Sequence, residues 1–321
     1  MTNIEKMPKY VVQRKLGAGS FGTVYEVIGE ETKEKYALKI GKRSKNSQLD
    51  QLINEINAYH YIENNVTEDD LQYFGKLNNS FQNEIHVILI LNLYKENVYD
   101  LLSSRFESGK YRGLELPLLQ KYLRDLASGL YILHKINIVH CDLKPENMVI
   151  TDDERIKIID FGSSFLKKAT FNGAAQSLFY RAPEAFLKLE LTSAIDIWSF
   201  GCIAFELYKG YPLFCGKDEL NTLQYIQIRL GKFPHKLISS SPLMKEYFDS
   251  NGNVRNIENF KDRLNFGRPN LEQLMFSMPA GDEIAVELLY NLVKICLNFD
   301  VEKRANSKDI VDHPFLQYNF N

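Results

Sequence analysis

Up to about residue 91 the apolar positions follow the two-residue alternation of strands, interrupted by one helical segment. Tyr10-Val11-Val12 leads into a glycine-rich stretch, and Thr23-Val24-Tyr25-Glu26-Val27 alternates as a strand does. Glu30-Glu31-Thr32-Lys33 reads as a polar turn before a second strand over 35–40. Leu52, Ile56 and Tyr59 then share one face of a helix predicted over 48–63, and 85–91 is a nearly continuous apolar run, the pattern of a buried strand. From Leu116 onward the rhythm becomes helical. Leu119, Tyr122, Leu123, Leu126 and Leu130 line one face of 117–135, and further helices are predicted over 192–208, 220–230, 285–298 and 307–312. A mostly-β first part followed by a mostly-α second part predicts an α+β molecule of two lobes, with the boundary near 94–97. A cleft between lobes is a usual place for a small ligand.

Composition changes this picture little. The 321 residues suit one large domain or two small lobes, and 45% apolar with 25% charged residues is ordinary for a globular chain. A net charge of −2 argues for neither nucleic acid nor an anionic membrane as partner, and oligomeric state has no signature here. Cys141, Cys202, Cys215 and Cys296 are scattered without metal-type spacing, as thiols of a reducing compartment are. Residues 1–9 have no apolar core of the signal-peptide kind. The apolar stretch 85–93 is too short to span a bilayer, and 194–208 is interrupted by Asp196 and Glu206. The expectation is a soluble intracellular protein, cytoplasmic or nuclear. Lys42-Arg43-Ser44-Lys45 is basic but short, and reads as a solvated surface.

Candidate chemistry concentrates in a few motifs. Gly17-Ala18-Gly19-Ser20-Phe21-Gly22 has the G-x-G-x-x-G spacing. A dinucleotide-binding turn opens a helix and has an acidic residue some way downstream. Here a strand-like segment follows and the later charged residue is Lys39, which leaves a phosphate-covering hairpin or a plain turn. Lys39 lies within an apolar strand, a costly place unless it is paired, and Glu55 on the next helix is the candidate partner. His140-Cys141-Asp142-Leu143-Lys144-Pro145-Glu146-Asn147, followed by Asp160-Phe161-Gly162, offers Asp142 as a base and Lys144 as a counter-charge to a transferring phosphoryl group. Asn147 and Asp160 offer hard oxygen ligands suited to Mg²⁺. Strands over 147–150 and 156–159, joined at Asp152-Asp153, would bring those two together. His140 has no Cys or His in ligand spacing and reads as a packing residue beneath Phe161.

Together these residues resemble the eukaryotic protein kinases over about residues 10–315, and the match continues through Ala182-Pro183-Glu184, Asp196-Ile197-Trp198-Ser199-Phe200-Gly201 and Arg304. The resemblance implies a bilobal kinase domain over 10–318, with a small mostly-β lobe (10–94) and a larger mostly-α lobe (95–318). It also implies ATP and Mg²⁺ as cofactors and protein substrates as partners. ATP-binding residues implied are Leu16, Gly17, Gly19, Gly22, Val24, Ala37, Lys39, Glu55, Leu91, Leu93 and Val149. Asp142 and Lys144 are the implied catalytic residues, with Asn147 and Asp160 the metal ligands. It further implies a Glu184–Arg304 ion pair, Asp196 bracing the catalytic loop, and a stack of Tyr59, Leu77, His140 and Phe161 between the lobes.

Lys144-Pro145-Glu146 is the serine/threonine-kinase form. His140-Cys141-Asp142, Asp160-Phe161-Gly162-Ser163-Ser164, Gln176-Ser177-Leu178-Phe179-Tyr180-Arg181, Asn97-Val98-Tyr99-Asp100-Leu101-Leu102 and Tyr211-Pro212-Leu213-Phe214 resemble the dual-specificity tyrosine-regulated kinases within the CMGC group. The stretch 235–281 resembles the insert of that group. Dual specificity stays open. Asn172-Gly173-Ala174 stand where that group has activating tyrosines, Leu178 where it has a proline-directing arginine, and Cys141 where other kinases have a phosphate-clamping arginine. The expectation is an activation segment (160–184) that needs no phosphate, with Thr170 and Ser177 as phosphosite candidates. The chain starts just before the first strand, so no N-terminal extension of that group is expected. A pseudokinase scaffold and a small-molecule kinase of similar lobes are the competing readings. The first would bind nucleotide without turnover; the second lacks a use for the 182–184 and 196–201 motifs.

Overall fold

In the computed structural model, residues 9–19, 22–42, 48–83, 85–169, 175–277 and 281–320 are described. Strands β1 (Tyr10–Gly19), β2 (Gly22–Gly29), β3 (Lys35–Lys42), β4 (Leu77–Gln82) and β5 (His86–Asn92) form one antiparallel sheet in the order β1-β2-β3-β5-β4. Register sets Gly17 opposite Val24, Val24 opposite Lys39, and Ala37 opposite Leu91. Helix α1 (Gln48–Asn65) buries Leu52, Tyr59 and Ile62. It runs two residues past the predicted end.

The second lobe hangs from β6 (Glu96–Asn97) and α2 (Val98–Ser104), whose first turn is capped by the Asn97 side chain accepting from the Asp100 N–H at 2.8 Å. Helix α3 (Leu116–Lys135) carries Pro117 in its first turn, where no amide is needed. Short strands follow: β7 (Ile138–Val139), β8 (Met148–Ile150), β9 (Ile156–Ile158) and β10 (Phe165–Leu166). Strand β8 starts one residue later than predicted, because Pro145–Asn147 form a 3₁₀ turn that points Asn147 back into the loop. Arg155 grips Asp125 of α3 with bonds of 2.6–2.9 Å, fixing the β8–β9 hairpin to the helical core.

The core of this lobe is α5 (Ala194–Lys209), preceded by the short α4 (Pro183–Phe186). Helix α5 is buried on nearly every face, as expected of a helix with apolar residues all round. It packs on α3 and on α10 (Glu283–Cys296), and Gly201 permits the close approach: a Cβ there would lie 2.8 Å from Cys296 Cβ. Predicted helix limits shift by a residue or two where caps decide them. Gly210 in the left-handed region ends α5, and Asp282 opens α10 by accepting from Ala285 N–H. Helix α6 (Glu219–Leu230) precedes the 235–281 stretch, whose described residues hold the short helices α7 (His235–Ser239), α8 (Met244–Tyr247) and α9 (Leu271–Met275) and a 3₁₀ turn at Ile257–Asn259. Helices α11 (Ser307–Val311) and α12 (Pro314–Gln317) close the chain over α3. Strand β4 and helix α2 were absent from the predicted elements. The first is a polar edge strand and the second barely two turns long, so neither has a strong period. No helix of the described residues is long and apolar enough to cross a membrane.

Candidate active site

Lys39 in β3 extends its ammonium to Glu55 Oε2 at 2.7 Å and to Asp160 Oδ1 at 2.9 Å. Burial works to lower the ammonium's pKa, but the two carboxylates outweigh it and the net shift is upward, so Lys39 stays charged. Burial and the nearby Asp160 push Glu55 up to about 7 against the pull of Lys39. For Asp160, burial is opposed and exceeded by Lys39, leaving its carboxyl below the usual range.

The floor is the loop between β7 and β8. Asp196, with no exposed surface, accepts the His140 N–H at 2.8 Å and the Cys141 N–H at 2.9 Å, and lies 3.0 Å from His134 Nε2. That double anchor holds Cys141 at φ +67° and turns Asp142 into the cleft. His140 Nδ1 accepts from the Asp142 N–H at 3.2 Å, so the ring carries its proton on Nε2 and donates it to the Ile159 carbonyl at 3.0 Å. The packing role read for His140 holds. Cys141 is buried, and burial pushes its thiol pKa up, away from any nucleophilic role.

The Asp142 carboxylate accepts from Ser177 N–H (2.9 Å), Ser177 Oγ (2.7 Å) and Lys144 Nζ (2.9 Å), and Lys144 also donates to Ser177 Oγ at 3.0 Å. A base, a cation and a hydroxyl thus form one hydrogen-bonded triangle. Asn147 donates its Nδ2 to the Asp142 carbonyl at 2.8 Å, which leaves the loop making no use of its amide oxygen. Asp160 sits in the left-handed region (φ +65°), after which Phe161 packs against Tyr59 at 5.1 Å and His140 at 5.2 Å between ring centroids, with Leu77 on the same core. Tyr59, His140 and Phe161 of the inter-lobe stack expected from sequence are therefore in ring contact.

Between the lobes lies a cavity of about 670 Å³. Leu16, Gly22, Val24, Ala37, Leu91, Leu93 and Val149 line its apolar part; Lys39, Glu55, Asn147 and Asp160 line its polar end. Gly17 and Gly19 lie on β1, and Gly17 is not among the cavity's described lining residues. Asp142 and Lys144 also stand outside it. Instead Lys144 faces a second groove of about 600 Å³ with Tyr99, Phe106, Ser177, Leu178 and Phe179, and Glu146 borders both spaces. Volume and lining suit a purine with a phosphate tail, and oxygen donors at the polar end suit Mg²⁺.

Beneath the groove, Arg304 clamps Glu184 through bonds of 2.6 and 3.0 Å and stacks 5.2 Å from the Trp198 ring centroid. Gln176, at φ +62°, spans from the Ser199 hydroxyl (2.8 Å) to the Ala182 N–H (2.9 Å). Ser177, a phosphosite candidate from sequence, is engaged with Asp142 and Lys144. Thr170, the 172–174 triplet, Ser20, Phe21 and the 43–45 part of the basic run lie outside the described residues. Sequence reasoning missed the cavity-lining Tyr94, Glu96 and Ile159, and missed Asn54, which reaches the turn after Asp160. Nothing in their spacing announces them.

A cleft between a small sheet and a helical lobe, with Lys39, Asn147 and Asp160 at its polar end and the Asp142–Lys144 pair beside it, has the makings of a phosphoryl-transfer site. Residues 10–316 match the family model described as protein kinase domain, and the chain belongs to that family. It is 32% identical to the dual specificity tyrosine-phosphorylation-regulated kinase 2 of Drosophila melanogaster, over 96% of this chain and 41% of the relative. It is 30% identical to the serine/threonine-protein kinase ppk15 of Schizosaccharomyces pombe, over 96% and 62% respectively. With the dual specificity protein kinase YAK1 of Saccharomyces cerevisiae it shares 36% identity over 73% of this chain and 29% of the relative. The chain thus spans less than two thirds of the length of each of these relatives.

Proposed function

We propose that the protein is an ATP-dependent, Mg²⁺-requiring protein kinase that phosphorylates serine and threonine hydroxyls, with tyrosine as a further acceptor to be tested in view of its dual-specificity relatives. Adenine lies between Leu16, Val24 and Ala37 above and Val149 below, with Leu91 and Leu93 along its inner edge. Lys39, held by Glu55, meets the phosphates nearest the nucleoside. Mg²⁺, held by Asn147 and Asp160, supplies charge neutralisation on the phosphate chain when bound. Asp142 accepts the proton of the incoming hydroxyl as its oxygen bonds to the γ-phosphorus. The bond from that phosphorus to the bridging oxygen breaks, ADP departs, and Lys144 balances the charge on the transferred group.

The observation that carries this reading is the Asp142–Lys144–Ser177 triangle, which stands where the nucleotide cleft and the second groove adjoin. A groove of that size beside the base favours a polypeptide acceptor over a sugar or amino alcohol. Purified chain, labelled ATP, Mg²⁺ and a mixed Ser/Thr/Tyr peptide library test the proposal. The parent is expected to transfer label, with Asp142→Asn slower by roughly 10²–10⁴-fold, the usual worth of a positioned base. ATP binding without transfer by the parent would overturn it in favour of a scaffold.

A further inference from the structure

We infer that Asn54 is a positioning residue for phosphoryl transfer: its carboxamide ties helix α1 to the turn that carries Asp160. The inference rests on the kinase reading above. Asn54 precedes Glu55 on α1, and its Nδ2 donates to Ser164 O at 2.8 Å and Gly162 O at 3.0 Å, with Phe161 O at 3.5 Å. Three main-chain oxygens thus converge on one amide. They belong to the 3₁₀ turn Phe161–Ser163 and the residue after it; the Phe161 carbonyl also accepts the Ser164 N–H at 3.0 Å, which closes the turn. Asparagine is a weak helix former in mid-helix, so its place here costs α1 something that the tie offsets.

The turn also rests directly on the helix. A Cβ at Gly162 would lie 3.3 Å from the Gln51 carbonyl oxygen, one helical turn before Asn54. A closed circuit follows. Asp160 bonds Lys39, Lys39 bonds Glu55, Glu55 neighbours Asn54 on α1, and Asn54 bonds the chain two residues beyond Asp160. Asp160 is therefore held at its carboxylate by an ion pair, and the turn that follows it is held by a neutral amide. The second hold is insensitive to pH and weakly sensitive to salt, unlike the first. Swinging α1 away would break both at once, and Asp160 would lose the support of its left-handed backbone.

The test uses Asn54→Leu, similar in size without a donor, and Asn54→Asp, which turns a carboxylate toward the three carbonyls. Hydrogen exchange of amides 161–166 in nucleotide-free protein is expected to accelerate about tenfold or more in both, the loss of about one to two net hydrogen bonds. In the active enzyme kcat is expected to fall on the order of tenfold, with peptide KM unchanged and the Mg²⁺ concentration for half-maximal rate raised several-fold. A purely structural asparagine would lower the melting temperature while leaving kcat and the Mg²⁺ requirement at parental values, and that result overturns the inference. So does unchanged exchange in a folded variant. If the parent itself transfers no phosphate, the proposed function falls, and the exchange data with Mg²⁺-dependent ATP binding by calorimetry still decide the role of Asn54.

Discussion

Every residue of β1 from Val11 to Ala18 is exposed, whereas every residue from Ile138 to Ile150 is buried except Lys144 and Glu146. The roof of the cleft is held by a main-chain ladder to β2, with an Arg14–Glu26 ion pair and a Tyr10–Tyr36 ring contact beside it. The floor is held by buried side chains that each satisfy main-chain groups: Asp196 two amides, Asn147 a carbonyl, and Asp142 the Ser177 amide. Local stability follows such differences in burial and bonding, so the roof is the more adjustable wall of the cleft and the floor the more rigid one.

Asp196→Ala attacks the floor where it is strongest. Two buried amides and the His134 ring lose their acceptor, a change worth about 3–5 kcal/mol. Thermal unfolding should show a drop in Tm on the order of 5–10 °C, and turnover should fall with it. An unchanged Tm would mean that the floor does not depend on this carboxylate. Gly22→Ala strikes the roof at a demanding position: φ is +136° and a Cβ would collide with the Ile40 carbonyl. A loss of about 1–3 kcal/mol is expected, read as a shift in the urea midpoint.

Glu206 sharpens the contrast through pH. It lies buried below the groove, where burial, with a contribution from Glu146 and against the Tyr180 hydrogen bond, pushes its carboxyl up to about 8. A pKa raised above the unfolded 4.5 means that folding favours the protonated form. Its contribution to stability is complete below pH 4.5 and is lost as pH rises through 8. Glu206→Gln should therefore flatten the fall of Tm between pH 5 and 8.5; a parallel fall in parent and variant would rule out this carboxyl as its source. The smallest effect belongs to Gly17→Ala, whose Cβ would meet nothing within 4 Å. Its unfolding free energy in urea should stay within about 0.5 kcal/mol of the parent, and a larger loss would show that the roof is tightly packed around Gly17.

The two regions also differ in how much of them could be read beforehand. The floor motif was legible because Asp142, Lys144 and Asn147 lie within six residues, and a short loop leaves them few arrangements. Lys39–Glu55 was legible as well, since a lysine in an apolar strand demands a partner and the next helix offers one. Helix α5 showed itself by its continuous apolar content, though it starts two residues later than predicted and Gly210 sets its end. The two-residue strands β7 and β10 were not legible, because a pair so short has no period to detect and exists only through its tertiary partner.

What the sequence determined alone is the family and the order of its motifs: glycine-rich stretch, paired lysine, the 140–147 loop, the 160–162 turn and the buried platform. Each is encoded by residue types at close spacing, where covalent geometry limits the outcomes. What only the tertiary structure decided is which distant groups complete those parts. Ser177 reaches Asp142 across 35 positions and Asn54 reaches Gly162 across 108. No local pattern foretells such contacts, because they depend on how α1 and the activation segment pack against the loop, and packing is a property of the whole chain.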